Sequence, residues 1–268
     1  MQRVRSERTN WRDSNLERVH NQYGYELACD NVEFLMVEYD MSTPVVVIDY
    51  RLKGRLTSGH SDGVLKLCSN REMVIPYFIC EYEVNNNRMS NIVCIPCNGP
   101  ADSIVDKNQI LTEKEFVKIL YRIREKIVKG RAEQGIAVAE SLSNSLSDPI
   151  ENWPGQILSN RHRDYGWDCP VVDIDFIVVN NGEVKGLVEY KHMQSYSTPK
   201  KFKIHPTGKT LSYLANNMNE KIPLLFVYYN DSIDTFKVYP VTYGWDEYDN
   251  YFGIELTRDE YFNFLRSL

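Results

Sequence analysis

The 268-residue chain lacks any apolar run approaching the roughly 18 residues that a membrane-spanning helix needs, so no membrane partner is expected. Its first residues, Met1-Gln2-Arg3-Val4-Arg5-Ser6-Glu7-Arg8, are charged and have no apolar segment behind them, which predicts no signal peptide and a cytoplasmic location. Cysteine is sparse. Cys29, Cys68, Cys80, Cys94, Cys97 and Cys169 mostly lie within apolar segments, where a free thiol behaves as a small hydrophobe, and a disulfide framework is not expected. Cys94-Ile95-Pro96-Cys97 has no second pair at zinc spacing. A phosphate-binding Walker loop is also missing: Gly208-Lys209-Thr210 would require glycine where Lys203 stands. Positive charge is not in excess either. The net charge of -6 excludes a generally cationic surface and leaves room only for a local basic patch.

What is present is an ordinary globular composition, 43% hydrophobic and 25% charged, and an internal duplication. Residues 10–37 lie on residues 152–179 without a gap at an offset of 142. Eight of these 28 positions are identical, among them Trp11/Trp153, His20/His162, Tyr23/Tyr165 and Phe34/Phe176. About two would be expected from ordinary residue frequencies. The match continues in order with small length changes. Val47–Arg51 lies on Leu187–Lys191, Ile75–Cys80 on Ile222–Val227, Ile95–Cys97 on Tyr239–Val241, and Leu111–Phe116 on Leu256–Tyr261. The match of Ile95–Cys97 to Tyr239–Val241 discounts the Cys94/Cys97 pair, because valines, Val238 and Val241, stand at the matching positions.

Each copy reads as helix, strand, strand, helix, strand, strand, helix. Asn180-Asn181-Gly182 between two apolar runs is a strong hairpin signal. Thr112 with Glu115, and Thr257 with Glu260, carry the capping-box spacing at a helix start. The expected organisation is a first unit over 1–124, a connector over 125–150 that packs across both units, and a second unit over 151–268. The connector begins by continuing a helix, is weakened by Gly130 and Gly135, and ends in a serine-rich stretch over 141–149.

Asp173 and Asp175 begin one apolar strand of the second copy, and Glu189 and Lys191 end the next. Alternation puts each pair on one strand face, and the hairpin would gather two or three carboxylates and an ammonium at one end of a sheet. Charged strand ends are common, and Glu-x-Lys alone carries little information. The combination matters more, because carboxylates at the edge of a core are costly without a cation. Oxygen ligands gathered this way suit Mg²⁺ or another hard divalent ion.

Asp173-Ile174-Asp175-Phe176 … Gly182 … Leu187-Val188-Glu189-Tyr190-Lys191 resembles the PD-(D/E)xK nuclease superfamily. The resemblance implies an α/β fold made of two tandem restriction-endonuclease-like α-β-β-β-α-β units, and Mg²⁺- or Mn²⁺-dependent cleavage of nucleic acid, DNA ahead of RNA. It implies catalytic roles for Asp175, Glu189 and Lys191, with Asp175 and Glu189 as metal ligands and Asp173 as a competitor on the same face. Many members also use a glutamate on the preceding helix. Only Glu151 is offered here, and the first copy has Glu17 where the second has Ser159. His162 and its counterpart His20 read as structural residues at a helix end.

The first copy has Asn31 and Glu33 for the aspartates, Asp49 for the glutamate and Arg51 for the lysine. Arginine is broader than an ammonium and always charged, so the first copy reads as a degenerate pseudo-dimer partner, with further self-association left open. Lys200, Lys201, Lys203 and Lys209 follow the site in an expected mobile loop. Alone they would be a solvated basic segment; beside the acids they are expected to contact phosphates. The alternative is a catalytically inactive nuclease fold that binds nucleic acid or another protein.

Overall fold

The computed structural model describes residues 15–16, 18–25, 33–53, 61–85, 88–142, 165–166, 169–195, 198–241 and 253–268. Residues 15–16 and 18–22 are helical. There follow β1 (Glu33–Asp40), β2 (Thr43–Leu52), α1 (Ser61–Ser69), β3 (Tyr77–Asn85), β4 (Arg88–Pro96), the single turn α2 (Gly99–Asp102), β5 (Ile110–Leu111), α3 (Glu113–Arg124) and α4 (Arg131–Ser141). The second half gives β6 (Val171–Asp173), β7 (Phe176–Asn180), β8 (Glu183–His192), α5 (Pro199–Ile204), α6 (Pro206–Asn216), β9 (Leu224–Tyr229), β10 (Thr235–Pro240), β11 (Ile254–Thr257) and α7 (Arg258–Ser267).

The fold is mixed α/β, with two mixed sheets flanked by helices. One sheet runs β5-β4-β3-β2-β1-β6 and the other β11-β10-β9-β8-β7. In both, a hairpin is followed by a helical crossover to a parallel strand, as a parallel neighbour requires. The two copies pair alike, strand by strand. Val47 opposes Tyr77 as Leu187 opposes Leu224, Phe78 opposes Pro96 as Leu225 opposes Pro240, and Ile92 opposes Leu111 as Phe236 opposes Leu256. Both capping boxes are complete: Thr112 and Thr257 each accept from the amide three residues on, and Glu115 and Glu260 accept in return from the cap amides.

The compact units, however, are not the linear segments 1–124 and 151–268. The first gathers described residues within 31–59 and 74–173, and the second those within 7–30, 60–73 and 174–268. Within the second unit, Leu16 and Val19 of the first copy are buried with Phe176, Tyr190, Phe236, Tyr261 and Phe262. Within the first unit, Tyr165 and Cys169 of the second copy join Tyr50, Phe78, Tyr82, Phe116 and Tyr121. The leading segments are thus exchanged. An apolar pattern announces that a face is buried, but two homologous sheets offer it equivalent places.

The described part of the connector belongs to the first unit, where α4 packs on α3. Its glycines serve that packing. A Cβ on Gly135 would come within 2.3 Å of Tyr121 Cβ, and Gly130 starts α4 with φ 87°. The serine-rich stretch over 143–149 lies outside the described residues, as do Trp11, Trp153, Glu17, Cys29, Asn31, Glu151, Ser159 and His162. Among the described residues, no helix is long and apolar enough to cross a membrane.

Candidate active site

The site is set by the β7–β8 hairpin. Asn181 and Gly182 have φ of 52° and 75°, the paired positive values of a two-residue turn whose twist suits a hairpin. That turn sets Phe176 opposite Val188, and Asp175 immediately precedes this last paired position. Val188 and Tyr190 enter the aromatic core, so Glu189 and Lys191 lie on the other face of β8. Glu189 is 5% exposed, and its Oε1 receives the Lys191 ammonium. Asp175 Oδ2 accepts the Tyr190 N–H at 2.7 Å, which ties the first acid to the strand carrying the second.

Tyr190, the middle residue of Glu-x-Lys, anchors that strand from behind. Its hydroxyl lies 2.8 Å from His20 Nε2 and 2.6 Å from the Tyr261 hydroxyl. Burial, then the neighbouring Tyr261 phenol, pushes the Tyr190 phenol well above the usual tyrosine range. Burial also lowers the His20 imidazole to a pKa of about 3, so it is neutral at physiological pH. His20 packs edge-on against Phe176, Tyr190 and Phe262, with ring centroids 4.5, 5.5 and 5.1 Å away. It is a structural histidine, as its place near a helix end suggests. The supporting roles of Tyr190 and Tyr261 have one signal in the sequence, their places one step from Glu189 and one turn into α7.

Asp173 is placed elsewhere. The expected single strand through Asp173 and Asp175 is broken at Ile174, and Asp173 ends β6, which pairs with β1 in the first unit. The expected gathering of two or three acids therefore reduces to Asp175 and Glu189. Among the described residues, no group of three or more His, Cys, Asp or Glu side chains forms a metal-holding cluster. Asp175 and Glu189 are the residues that could hold a cation here.

The first unit repeats half of this arrangement. Asp49 is 2% exposed and lies 2.6 Å from the Arg51 guanidinium, at the strand positions of Glu189 and Lys191. Its cross-strand partner is Leu35, while Glu33 opposes Arg51. Laying Glu33 on Asp175 is thus corrected by the pairing. The second copy is two residues shorter between Val179 and its turn than the first between Val37 and its own, so the hairpins superpose at an offset of 140 rather than 142.

The basic segment is helical rather than a loop. Thr198 Oγ1 caps α5 by accepting from the Lys201 N–H at 3.2 Å, and Pro199 occupies the first turn, where its missing N–H costs nothing. His205 caps α6 in the same way, accepting from the Thr207 N–H at 3.3 Å, with Pro206 next. Gly208 is required by this packing, since a Cβ there would stand 2.0 Å from the Phe202 carbonyl oxygen. Lys200 and Lys201 are exposed and Lys203 half-buried on α5, and Lys209 is exposed on α6. Phe202 fixes α5 above the sheet, 4.9 Å from the ring of Phe226, the β9 neighbour of Glu189.

Cys94 opposes Cys80 on paired strands, and both are buried free thiols, so the Cys94/Cys97 spacing has a packing origin. Burial pushes the Cys80 thiol well above its ordinary range, which keeps it protonated. Arg71 and Arg124 are buried cations. Arg71 donates to the carbonyls of Leu67 and Leu214, and Arg124 to those of Tyr39, Leu120 and Pro170, so each ties backbone segments together. Compared with family models, curated proteins and solved structures, the chain matches none.

Proposed function

We propose that the second unit is a divalent-metal-dependent nuclease of the PD-(D/E)xK type, hydrolysing phosphodiester bonds, and that the first unit is a degenerate partner. The observation that carries this reading is the Asp175 carboxylate bound to the Tyr190 N–H, the residue between Glu189 and Lys191, with Lys191 engaging Glu189. Two carboxylates from paired strands, one of them nearly buried, form a hard-oxygen donor set that fits Mg²⁺ or Mn²⁺ completed by water and phosphate oxygens. Asp175 and Glu189 would hold that ion, which when bound supplies a lowered pKa for water and neutralisation of phosphate charge.

The remaining work falls to the chain. The Tyr190 N–H keeps the Asp175 carboxylate aimed along β8, and Tyr190 is itself held by His20 and Tyr261. Lys191 presents an ammonium beside Glu189, where it can stabilise the charge that develops on a phosphoryl oxygen. Lys200, Lys201, Lys203 and Lys209 sit on helices fixed beside this face and would carry neighbouring phosphates. Replacing Lys191 by alanine is expected to abolish Mg²⁺-dependent cleavage of DNA or RNA while the melting curve stays cooperative. Undiminished cleavage by that variant rejects the assignment.

A second reading is a nuclease-like module that binds without cutting. It is favoured by the direct engagement of Glu189 Oε1 by Lys191 and of Asp175 Oδ2 by a backbone amide. Calorimetric titration with Mg²⁺ separates the two: saturable binding that Asp175→Ala removes supports the enzyme, and no binding supports the module.

A further inference from the structure

The face of the second sheet that carries Glu189 and Lys191 continues across β9 and β10 in two rows. Register places Glu189, Phe226 and Tyr239 in one row, and Lys191, Tyr228 and Lys237 in the next. The first row is roofed at its start, where Phe202 of α5 lies on the fully buried Phe226. In the second row Lys191, Tyr228 and Lys237 are all half-exposed, so cations flank an aromatic ring at a surface. Glu255, the exposed neighbour of Lys237 on β11, bounds the row.

The tyrosine is held in a defined pose. Its ring meets Phe226 edge to face at 5.2 Å and Tyr239 at 5.8 Å, with interplanar angles of 81° and 82°. Tyr239 is seated in turn by Gly253, where a Cβ would come within 2.5 Å of the ring, and by Lys237, whose ammonium lies 5.7 Å from the ring centroid. Fixed aromatic rings lose little conformational freedom when a ligand settles on them, which favours binding. Rings interleaved with lysines are the surface that unpaired nucleotides recognise, because every base has a face to stack and every linkage a charge to neutralise. In a duplex the base faces are already stacked on one another, so such a row could meet only its backbone.

We propose that the Lys191–Tyr228–Lys237 row is a stacking shelf for an unpaired nucleic-acid strand, a base lying on Tyr228 and its phosphates reaching Lys191, Lys237 and the α5 lysines. Calling that strand the substrate rests on the nuclease reading above; the binding itself does not. The test is fluorescence anisotropy of the full chain in EDTA, so that nothing is cut, with a labelled 15-nucleotide single-stranded DNA, its RNA equivalent and the corresponding DNA duplex. At least one single strand should bind about tenfold more tightly than the duplex, and the two single-strand arms show which sugar is preferred. Tyr228→Ala should weaken that strand roughly tenfold, Tyr228→Phe should keep it, and neither should move the duplex affinity. Equal affinity for duplex and single strands, no binding to any of the three, or full affinity in a folded Tyr228→Ala protein overturns the shelf. Single-strand binding without cleavage in either Mg²⁺ or Mn²⁺ sinks the nuclease reading alone, and cleavage without single-strand preference sinks the shelf alone.

Discussion

The first and second units keep the same buried acid and flanking cation, Asp49 with Arg51 and Glu189 with Lys191, yet differ in what stands across the hairpin. Leu35 pairs with Asp49 in the first hairpin, whereas in the second Asp175, just before β7, accepts the N–H of Tyr190 beside Glu189. In the first unit the Arg51 guanidinium donates twice to Asp49 Oδ2, a charge-assisted pair that neutralises the buried acid. Two acids beside a compact ammonium leave negative charge for a further cation to balance. What separates the units is thus a hairpin two residues shorter as much as a change of residue type. A duplicated site can decay by slipping its register as well as by losing a side chain.

The largest effect expected from this contrast comes from giving the second unit the first unit's cation. Lys191→Arg should lower Mg²⁺-dependent cleavage by roughly 100-fold, in the range seen when one stabilising donor is lost, while Arg51→Lys leaves it within about twofold. Steady-state cleavage rates of the two variants check this, and equal losses would erase the distinction between the units. Next come the glycines that allow close helix packing in each unit. Gly208→Ala and Gly135→Ala should each cost about 1–3 kcal/mol in urea unfolding through overpacking. Only Gly208→Ala should also weaken nucleic-acid binding, because it displaces the α5 lysines from the sheet. Loss of binding in both would mean that the lysine helices act no more locally than α4.

A smaller effect concerns acid. His20 titrates near 3 in the folded chain against 6.5 unfolded, so the unfolded chain takes up the proton first. Its contribution is full above about pH 6.5 and is lost as pH falls toward 3, amounting to about 2 kcal/mol by pH 5. Urea unfolding between pH 7 and 5 should therefore slope less steeply in His20→Phe, and an unchanged slope would contradict the burial argument. The smallest effect lies in the turns. Met41 and Ser42 adopt φ of 47° and 68° where the second unit uses Asn181 and Gly182. Ser42→Gly should stabilise the protein by about 0.5–1 kcal/mol and Gly182→Ser destabilise it similarly, as measured by thermal melting.

Part of this architecture is legible in the sequence. Both capping boxes, the Asn181-Gly182 turn and the order strand, strand, helix, strand, strand rest on local chemistry, which is written in short stretches of sequence; the short edge strands β5 and β11 are not. The exchange of leading segments was not legible, because the apolar face around Leu16 and Val19 fits either sheet. The strand break at Ile174 hides behind the alternating Asp173-Ile174-Asp175-Phe176 pattern, and with it the separation of Asp173 from Asp175. The lysine helices were missed because Pro199, Pro206 and Gly208 look like loop residues, although two prolines at first-turn positions and a capping threonine mark helix starts. The Tyr228 row could be found only once register had set β8, β9 and β10 side by side.

The central claim is that Asp175 completes in the second unit a site that the first unit lacks. Its most direct test is a cleavage panel in Mg²⁺ and in Mn²⁺, on single- and double-stranded DNA and RNA, comparing the native chain with Asp175→Ala and with Asp49→Ala. Cleavage by the native chain and by Asp49→Ala, and none by a folded Asp175→Ala, is the predicted result. Cleavage that survives Asp175→Ala, or a native chain that cuts none of the four with either metal, would contradict the account.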